Sequence, residues 1–358
     1  MSAPPPPPPS TPSPAAPADW GADHLHLHRL LRRQPDLLPA GSPLLLAVSG
    51  GQDSMALVGL LSGLRRLHGW TLHLWHGDHR WRAESEQQAR ELEAWAGQRG
   101  LPISVDTWQD APDGGPREAP ARQWRYDRLR ALASDLQVAR VVTGHTASDR
   151  AETLLLNLAR GSHRRGLASL RRRRPLSGGI ALVRPLLGIR RRDTARICRE
   201  LGLPVWPDPS NHDPRFSRNR VRGEVLPVLE ALHPGAEGRL AELAEQLAEE
   251  EDAAGELLDL ALAPLIARGP GEIGDQALRR RPLTRLERAN QRLLLQHWLE
   301  ARTGRRLSRR GLDSLLDRLA PARGPGQADL AGGWRLHWLR TTLWLSHDAD
   351  RPPDDRHP

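Results

Sequence analysis

The stretch that most constrains this chain runs from Leu44 to Ser54: Leu44-Leu45-Leu46-Ala47-Val48, then Ser49-Gly50-Gly51-Gln52-Asp53-Ser54. Five apolar residues bounded by turn formers read as a buried strand. Beyond the break Leu57, Val58, Leu61 and Leu64 recur at helical spacing, so a helix starts near Asp53 or Ser54. A strand, a glycine turn and a helix start make an anion site, because free N–H groups and the positive end of the helix dipole converge there. The two glycines let the backbone approach a phosphate with no Cβ in the way. The Ser49 and Ser54 hydroxyls can donate to phosphate oxygens, and Asp53 can hold a magnesium ion beside them. An ordinary strand-to-helix turn needs only an Asp or Ser N-cap, not this whole set, so a phosphate cradle is the expectation.

Strands follow at 71–76, 102–108, 139–143 and 180–183, alternating with helices at 83–98, 119–136, 147–159 and 191–201. Such alternation predicts an α/β fold, a Rossmann-like parallel sheet with helices on both faces. Ligands in such sheets bind at the carboxyl ends of the strands, where residues 49–54 lie. From Gly223 the pattern turns helical, at 240–262, 288–300 and 308–319, and 334–346 holds two Trp- and Leu-rich runs, a hairpin pattern. The expected organisation is a disordered Pro-rich tail over 1–22, an α/β domain over 23–222, a smaller mainly helical domain over 223–350, and a short tail over 351–358.

At 358 residues, 38% hydrophobic and 27% charged, the chain can bury two cores. No run approaches the length of a membrane span, and the tail lacks the hydrophobic run of a secretory signal, so a cytoplasmic protein is expected. The single cysteine, Cys198, permits no intrachain disulfide and sits in a helical pattern as a buried thiol. All 52 basic residues are arginine. Without lysine the chain has no Walker-type phosphate loop and no Schiff-base or lysyl-nucleotidyl chemistry of its own. A net charge of +9 and a pI near 11.1 point to a polyanionic partner. Residues 160–222 hold 17 arginines against four acids, whereas 230–260 hold ten acids against one arginine. Two solvated faces would give the same counts. The positive block directly follows the nucleotide site, which favours a nucleic acid backbone.

Four further groups carry chemistry. His76-Gly77-Asp78-His79, with Arg82 and Ser85 after it, ends the second strand, a polar site there fitting better than a zinc pair short of ligands. Gly144-His145-Thr146-Ala147-Ser148-Asp149-Arg150-Ala151-Glu152-Thr153 closes the fourth strand and opens a helix. Asp149 and Glu152 share a face of its first turn, where acids favour the helix dipole; a magnesium site facing ATP is the alternative, and the spacing leaves both open. Glu118-x-x-Ala121-Arg122-x-x-Arg125-Tyr126 has helical spacing. Asp208-Pro209-Ser210-Asn211, then Arg218-Asn219-x-x-Arg222, lies in the connection between the two domains and carries residue types that read phosphate and ribose.

Ser49-Gly50-Gly51-x-Asp53-Ser54 resembles the pyrophosphate loop of the ATP pyrophosphatases, which split ATP between the α and β phosphates and adenylate a substrate oxygen. With Arg160-Gly161-Ser162 and Arg184-Pro185-Leu186-Leu187, the whole series resembles the tRNA(Ile)-lysidine synthases over about residues 44–225, in order and spacing. The family commonly has two adjacent acids after the His, and here Ser148 takes the place of the first. The further carboxyl-terminal domain of longer members is expected to be missing.

The resemblance implies an adenine nucleotide alpha-hydrolase-type catalytic domain over 23–222 and a tRNA-binding role for 223–350. It implies a ligase that uses ATP and Mg2+ to join free L-lysine to position 2 of the wobble cytidine in the CAU anticodon of an isoleucine tRNA. The route runs through an adenylated intermediate and changes the codon read from AUG to AUA. ATP would lie at Ser49, Gly50, Gly51, Gln52, Asp53 and Ser54, with His76, Asp78 and His79, and Mg2+ at Asp53 and Asp149. Asp53, Asp149, Glu152 and His145 form the implied catalytic set, and the last three all stay open as acceptor of the lysine proton. Arg82, Glu118, Arg122, Arg125, Tyr126, Arg160, Arg184, Asp208, Ser210, Asn211, Arg218, Asn219 and Arg222 are the implied substrate contacts. The oligomeric state is left open, a homodimer being one option. Rival functions are a tRNA thiolase, which needs thiols or a cluster that one cysteine cannot supply, a glutamine amidotransferase, which needs a catalytic cysteine, and a non-catalytic RNA-binding protein.

Overall fold

The structure, a computed structural model, describes residues 20–80, 84–109, 118–168, 170–206, 213–267 and 277–348. Arg82, Asp208, Ser210 and Asn211 lie outside the described residues, as do the side chain of Glu118 and most of both expected tails.

The strand before the glycine loop is β1 (Pro43–Ala47). Leu44 and Leu46 enter one apolar core and Leu45 the other, alongside Trp75, Leu129, Val141 and Leu182. Burial on both faces explains why its sequence is a continuous apolar run rather than an alternation. The helix after the loop, α2 (Gln52–His68), ends at Gly69, whose φ of +68° suits a residue without a Cβ. Then come β2 (Thr71–Asp78), α3 (Ser85–Gln98), β3 (Ile103–Thr107), α4 (Glu118–Asp135), β4 (Arg140–Thr143), α5 (Ala147–Ala159), a short α6 (Arg164–Leu167), β5 (Arg173–Ser177), β6 (Ile180–Val183) and α7 (Arg191–Glu200). The sheet order is β3-β2-β1-β4-β6-β5. The first five are parallel, as expected, but β5 at the edge runs antiparallel to β6.

Helix α1 (Ala22–Arg33) starts at the end of the stretch expected to be tail. It is held by Leu27 and Leu31 and by His24, whose ring fits against α2 because Gly63 has no side chain to meet it. His28 Nδ1 lies 3.1 Å from His68 Nε2, and the His68 ring stacks on Trp70 at 4.3 Å. Burial lowers the pKa of His24 against the pull of Asp23, and burial, His28 and Arg32 lower that of His68. Both rings therefore protonate more readily in the unfolded chain than in the fold. Stability should be full above the unfolded value of about 6.5 and decline as pH falls below it. Urea midpoints lower at about pH 5.5 than at about pH 7.5, with a shallower decline in His24→Phe, would bear this out.

After α7 come α8 (Ser217–Arg220), a π-helical turn (Val221–Val225), α9 (Leu226–Leu232) and α10 (Ala236–Leu262). The chain divides into two compact units, Met1–Ala248 and Glu249–Pro358, within α10. Ion pairs hold the first part of α10 to the first unit. Glu245 of α10 meets Arg150 at 3.0 Å and Arg172 at 2.6 Å, and the Ser148 hydroxyl donates to Glu237.

The second unit contains β7 (Ile266–Ala267), β8 (Ala277–Arg279), α11 (Arg280–Thr284), α12 (Arg288–Thr303), α13 (Arg309–Arg318), β9 (Gly326–Leu330), β10 (Trp334–Trp338) and β11 (Thr342–His347). The expected hairpin is present as β10 and β11, but it lies inside a five-stranded antiparallel sheet of order β7-β8-β11-β10-β9. The unit thus adds an antiparallel sheet to its helices. Its core gathers Leu295, Trp298, Leu336 and Leu343. Among the described residues no helix is long and apolar enough to cross a membrane.

Candidate active site

The chain leaves β1 toward β2 on one side and leaves β4 toward β6 on the other, so the carboxyl ends of β1 and β4 flank a topological switch point. Residues 49–54 follow the first of these strands and residues 144–149 the second. Gly50 has a φ of +82°. The Ser54 hydroxyl donates to the Gly51 carbonyl at 2.8 Å and accepts from the Ser49 amide at 3.2 Å, and the two serine hydroxyls lie 3.2 Å apart. Gly144 lets the end of β4 touch the first turn of α2, since a Cβ there would stand 2.8 Å from the Asp53 carbonyl oxygen. Gln52 turns to α7 instead, donating to the Arg191 carbonyl at 2.7 Å and to Thr194 Oγ1 at 3.1 Å.

The first turns of α2 and α5 bring in the acids. Asp53 accepts from Arg191 Nη1 at 3.0 Å and from Thr194 Oγ1 at 2.5 Å. Burial pushes its pKa up, and Asp149 adds to this while Arg191 and Thr194 oppose it. Asp149 caps α5, its Oδ2 accepting from the Thr146 amide and hydroxyl, each at 2.9 Å, so its structural role is real. Burial works to raise its pKa, but His145, the Thr146 amide and Arg218 outweigh this and hold it below the usual carboxylate range. Glu152 is 0% exposed. Its oxygens accept from Arg222 Nε at 2.6 Å and Nη2 at 2.9 Å, with Arg218 Nε at 3.4 Å. Burial raises its pKa against the pull of Arg222. Arg222 sits in the π-helical turn, a distortion that recurs at functional sites. Its Nη2 is also 4.0 Å from Asp149 Oδ1. His145 bonds through Nδ1 to Thr143 Oγ1 at 2.8 Å, and burial lowers its pKa to about 3, so its imidazole is neutral at working pH.

A second cluster surrounds Tyr126. The guanidinium of Arg122 stands 5.5 Å over its ring and that of Arg174 5.1 Å. Burial would raise the phenol pKa, yet Arg122, Arg184, Arg174 and Arg125 bring it below its usual value. Arg184 is buried and donates to the Arg171 carbonyl at 2.8 Å. Arg122, Arg125 and Arg160 are exposed. Arg218 also donates to Thr153 Oγ1 at 2.7 Å, and Asn219 to the Asp213 carbonyl at 2.9 Å.

The residues at the carboxyl end of β2 and just beyond serve the backbone more than an open site. Buried His76 bonds to the Val48 carbonyl at 2.8 Å, which braces the entrance to the glycine loop. Asp78 accepts from the Arg80 amide at 2.8 Å, and His79 lies edge-on to Trp108 and Trp124. Arg191 and Thr194 escaped the sequence reading. Arg191 opens the helix after a parallel strand, as Asp53 and Asp149 do nearby, and that placement was the available signal.

Asp53 and Asp149 supply hard oxygen donors beside the phosphate cradle, and they interact with each other. Among the described residues no cluster of three or more His, Cys, Asp or Glu could hold a metal. That donor set fits Mg2+, which takes one or two carboxylates and completes its shell with phosphate oxygens and water.

A strand, a glycine turn and a helix at the switch point of a parallel sheet, faced by acids from the neighbouring helix, define a PP-loop nucleotide-binding domain. The PP-loop domain family matches residues 26–229. The tRNA(Ile)-lysidine synthase of Parasynechococcus marenigrum is 51% identical over 335 residues, covering 92% of this chain and 96% of that protein. The enzyme of the same name from Prochlorococcus marinus strain SARG is 39% identical over 91% of this chain and 96% of its own. The chain belongs to the tRNA(Ile)-lysidine synthase family. In fold it is also similar to the U34-tRNA thiolase NcsA from Methanococcus maripaludis, with a TM-score of 0.51 and 18% identity over 63% of this chain and 78% of that one.

Proposed function

We propose that the protein ligates free L-lysine to position 2 of the wobble cytidine in the CAU anticodon of an isoleucine tRNA, with ATP and Mg2+. The observation that carries this is the glycine cradle at the switch point, opposite an acid set braced by Arg218 and Arg222. In the first step the cytidine carbonyl oxygen attacks the α-phosphate of ATP; an O–P bond forms and the bond to the β-phosphate breaks. Ser49, Gly50, Gly51 and Ser54 hold the departing pyrophosphate with N–H and O–H donors. Asp53 and Asp149 would hold Mg2+, which would supply positive charge at the phosphates. In the second step the lysine ε-amine attacks the activated ring carbon and AMP leaves with the oxygen.

The amine loses a proton as the C–N bond forms. Asp149, Glu152 and His145 are its three candidate acceptors: Asp149, held below the usual carboxylate range, and His145, with a pKa of about 3, are both weak bases, and both Glu152 oxygens already accept from Arg222. Glu152 also positions Arg222. Beside it lies a cavity of about 200 Å³ whose lining includes Arg191, Arg192, Arg222, Glu230 and Glu237, charges of both signs that suit an amino acid with two ammonium groups and one carboxylate. Exposed Arg122, Arg125 and Arg160 would meet RNA phosphates. This chemistry belongs in the cytoplasm, where tRNA, lysine and ATP meet.

Cys198 argues against a sulfur-transfer alternative. It is buried, donates to the Gln52 carbonyl, and burial pushes its pKa up to about 11, so it is not a thiolate at neutral pH. Purified protein given CAU-anticodon isoleucine tRNA, ATP, Mg2+ and labelled lysine should label the tRNA and release AMP and pyrophosphate one for one. Mass analysis should place lysine on the wobble nucleoside. Binding of tRNA with no lysine-dependent AMP would leave only an RNA-binding role.

A further inference from the structure

We infer that Gln88 and Trp206, neither of them in the loop, are positioning residues that aim the amides of the pyrophosphate cradle. The Ser49 carbonyl accepts from Gln88 Nε2 at 2.9 Å, and the Gly50 carbonyl accepts from the Trp206 backbone amide at 2.9 Å. In a planar trans peptide the C=O and the following N–H point in opposite directions. Fixing the carbonyls of residues 49 and 50 toward α3 and Trp206 therefore turns the N–H groups of Gly50 and Gly51 the other way. The Gly51 amide accordingly reaches back to the Ser49 hydroxyl at 3.4 Å, on the side where a phosphate oxygen would sit.

The brace is itself anchored. The Trp206 indole N–H donates to Glu91 Oε2 at 2.8 Å, and the other oxygen of Glu91 accepts from Gln87 at 2.8 Å. Gln88 and Glu91 are three apart on α3, so one helix face holds both arms of the clamp. The fit is close enough to demand glycine: a Cβ on Gly50 would stand 2.6 Å from Gln88 Nε2 and 3.3 Å from the Trp206 ring. The clamp thus selects the +82° φ that presents the two amides together.

The inference rests on the pyrophosphate loop proposed above, and inorganic pyrophosphate is a probe that separates the two. Gln88→Leu removes one donor at a half-buried surface position. It should raise the pyrophosphate Kd and the KM for ATP about tenfold, the value of one well-placed hydrogen bond, with the KM for lysine and the Tm unchanged. Glu91→Leu frees the indole and should raise the pyrophosphate Kd by about threefold. Pyrophosphate binding within about twofold of wild type in both variants would overturn the clamp, as would a Gln88→Leu protein in which Tm and the lysine KM deteriorate together with ATP. Failure of the wild-type protein to bind pyrophosphate would instead strike at the loop.

Discussion

Glu152→Ala should lower the unfolding temperature by on the order of 10 °C and reduce lysidine formation by at least about 100-fold. The side chain is wholly buried and holds Arg222 through two hydrogen bonds and Arg218 through a third contact. Removing it leaves two guanidinium groups facing each other with Asp149 as the nearest acid, and breaking such a buried pair costs about 3–5 kcal/mol. Arg222 would then be free to fall back on Asp149, which it now meets at 4.0 Å, and so to neutralise the carboxylate that faces the nucleotide site. Glu152→Gln keeps the shape and one acceptor, so it should retain most of the stability yet still lose activity. Glu152→Met with Arg222→Met distinguishes the two effects: apolar replacement of both partners should recover stability but not catalysis. A Glu152→Ala protein with wild-type melting and turnover would remove Glu152 from the site.

The sequence showed the catalytic half clearly where local patterns decide structure. Strands β1 and β6 are unbroken apolar runs, and α5 at 147–159 and β6 at 180–183 fall where periodicity put them. Edge strand β5 was missed because Arg173-Arg174-Pro175-Leu176-Ser177 is polar, exposed and interrupted by proline, which an edge tolerates and a central strand does not. In the second unit β7, β8 and β9 are two to five residues long and carry no alternation to read. Charge was legible as a sum but not as a pattern of pairs. The arginine block 160–222 looked like a field for RNA, yet part of it is neutralised inside the protein. Arg172 meets Glu245, Arg191 meets Asp53, and Arg218 and Arg222 meet Glu152. Of the acids of 230–260, Glu245 is a partner of that block, whereas Glu242, Glu249, Glu250, Asp252, Glu256 and Asp259 are exposed. The same pairing answers the departure at Ser148. Its hydroxyl accepts from the Arg191 amide at 2.9 Å and donates to Glu237, which brings a carboxylate to that place from a helix far along the chain. No local motif could announce it.

Arg280→Met should unfold the second unit well before the first, lowering its stability by about 3–5 kcal/mol. Arg280 is 2% exposed and, among the described residues, has no acid within its hydrogen-bond set. Instead its guanidinium donates to five backbone carbonyls: Leu319, Ala320, Arg323, Gly324 and Leu339, at 2.7–3.4 Å. These carbonyls close α13, the turn after it and the end of β10, so one planar cation ties a helix end to a strand end. The Leu319 and Ala320 carbonyls lie at the negative end of the α13 dipole, which helps to offset the buried charge. Methionine fills the space but leaves the carbonyls without their shared donor, each a buried acceptor that costs free energy when unmatched. Lysine, with three donors on a compact head, cannot span five acceptors and should recover only part of the loss. Hydrogen exchange in Arg280→Met should show protection lost first at β10, β11 and α13 while β1 and α2 keep theirs. Uniform loss across both units, or no change in the second, would mean that this arginine does not hold the unit together.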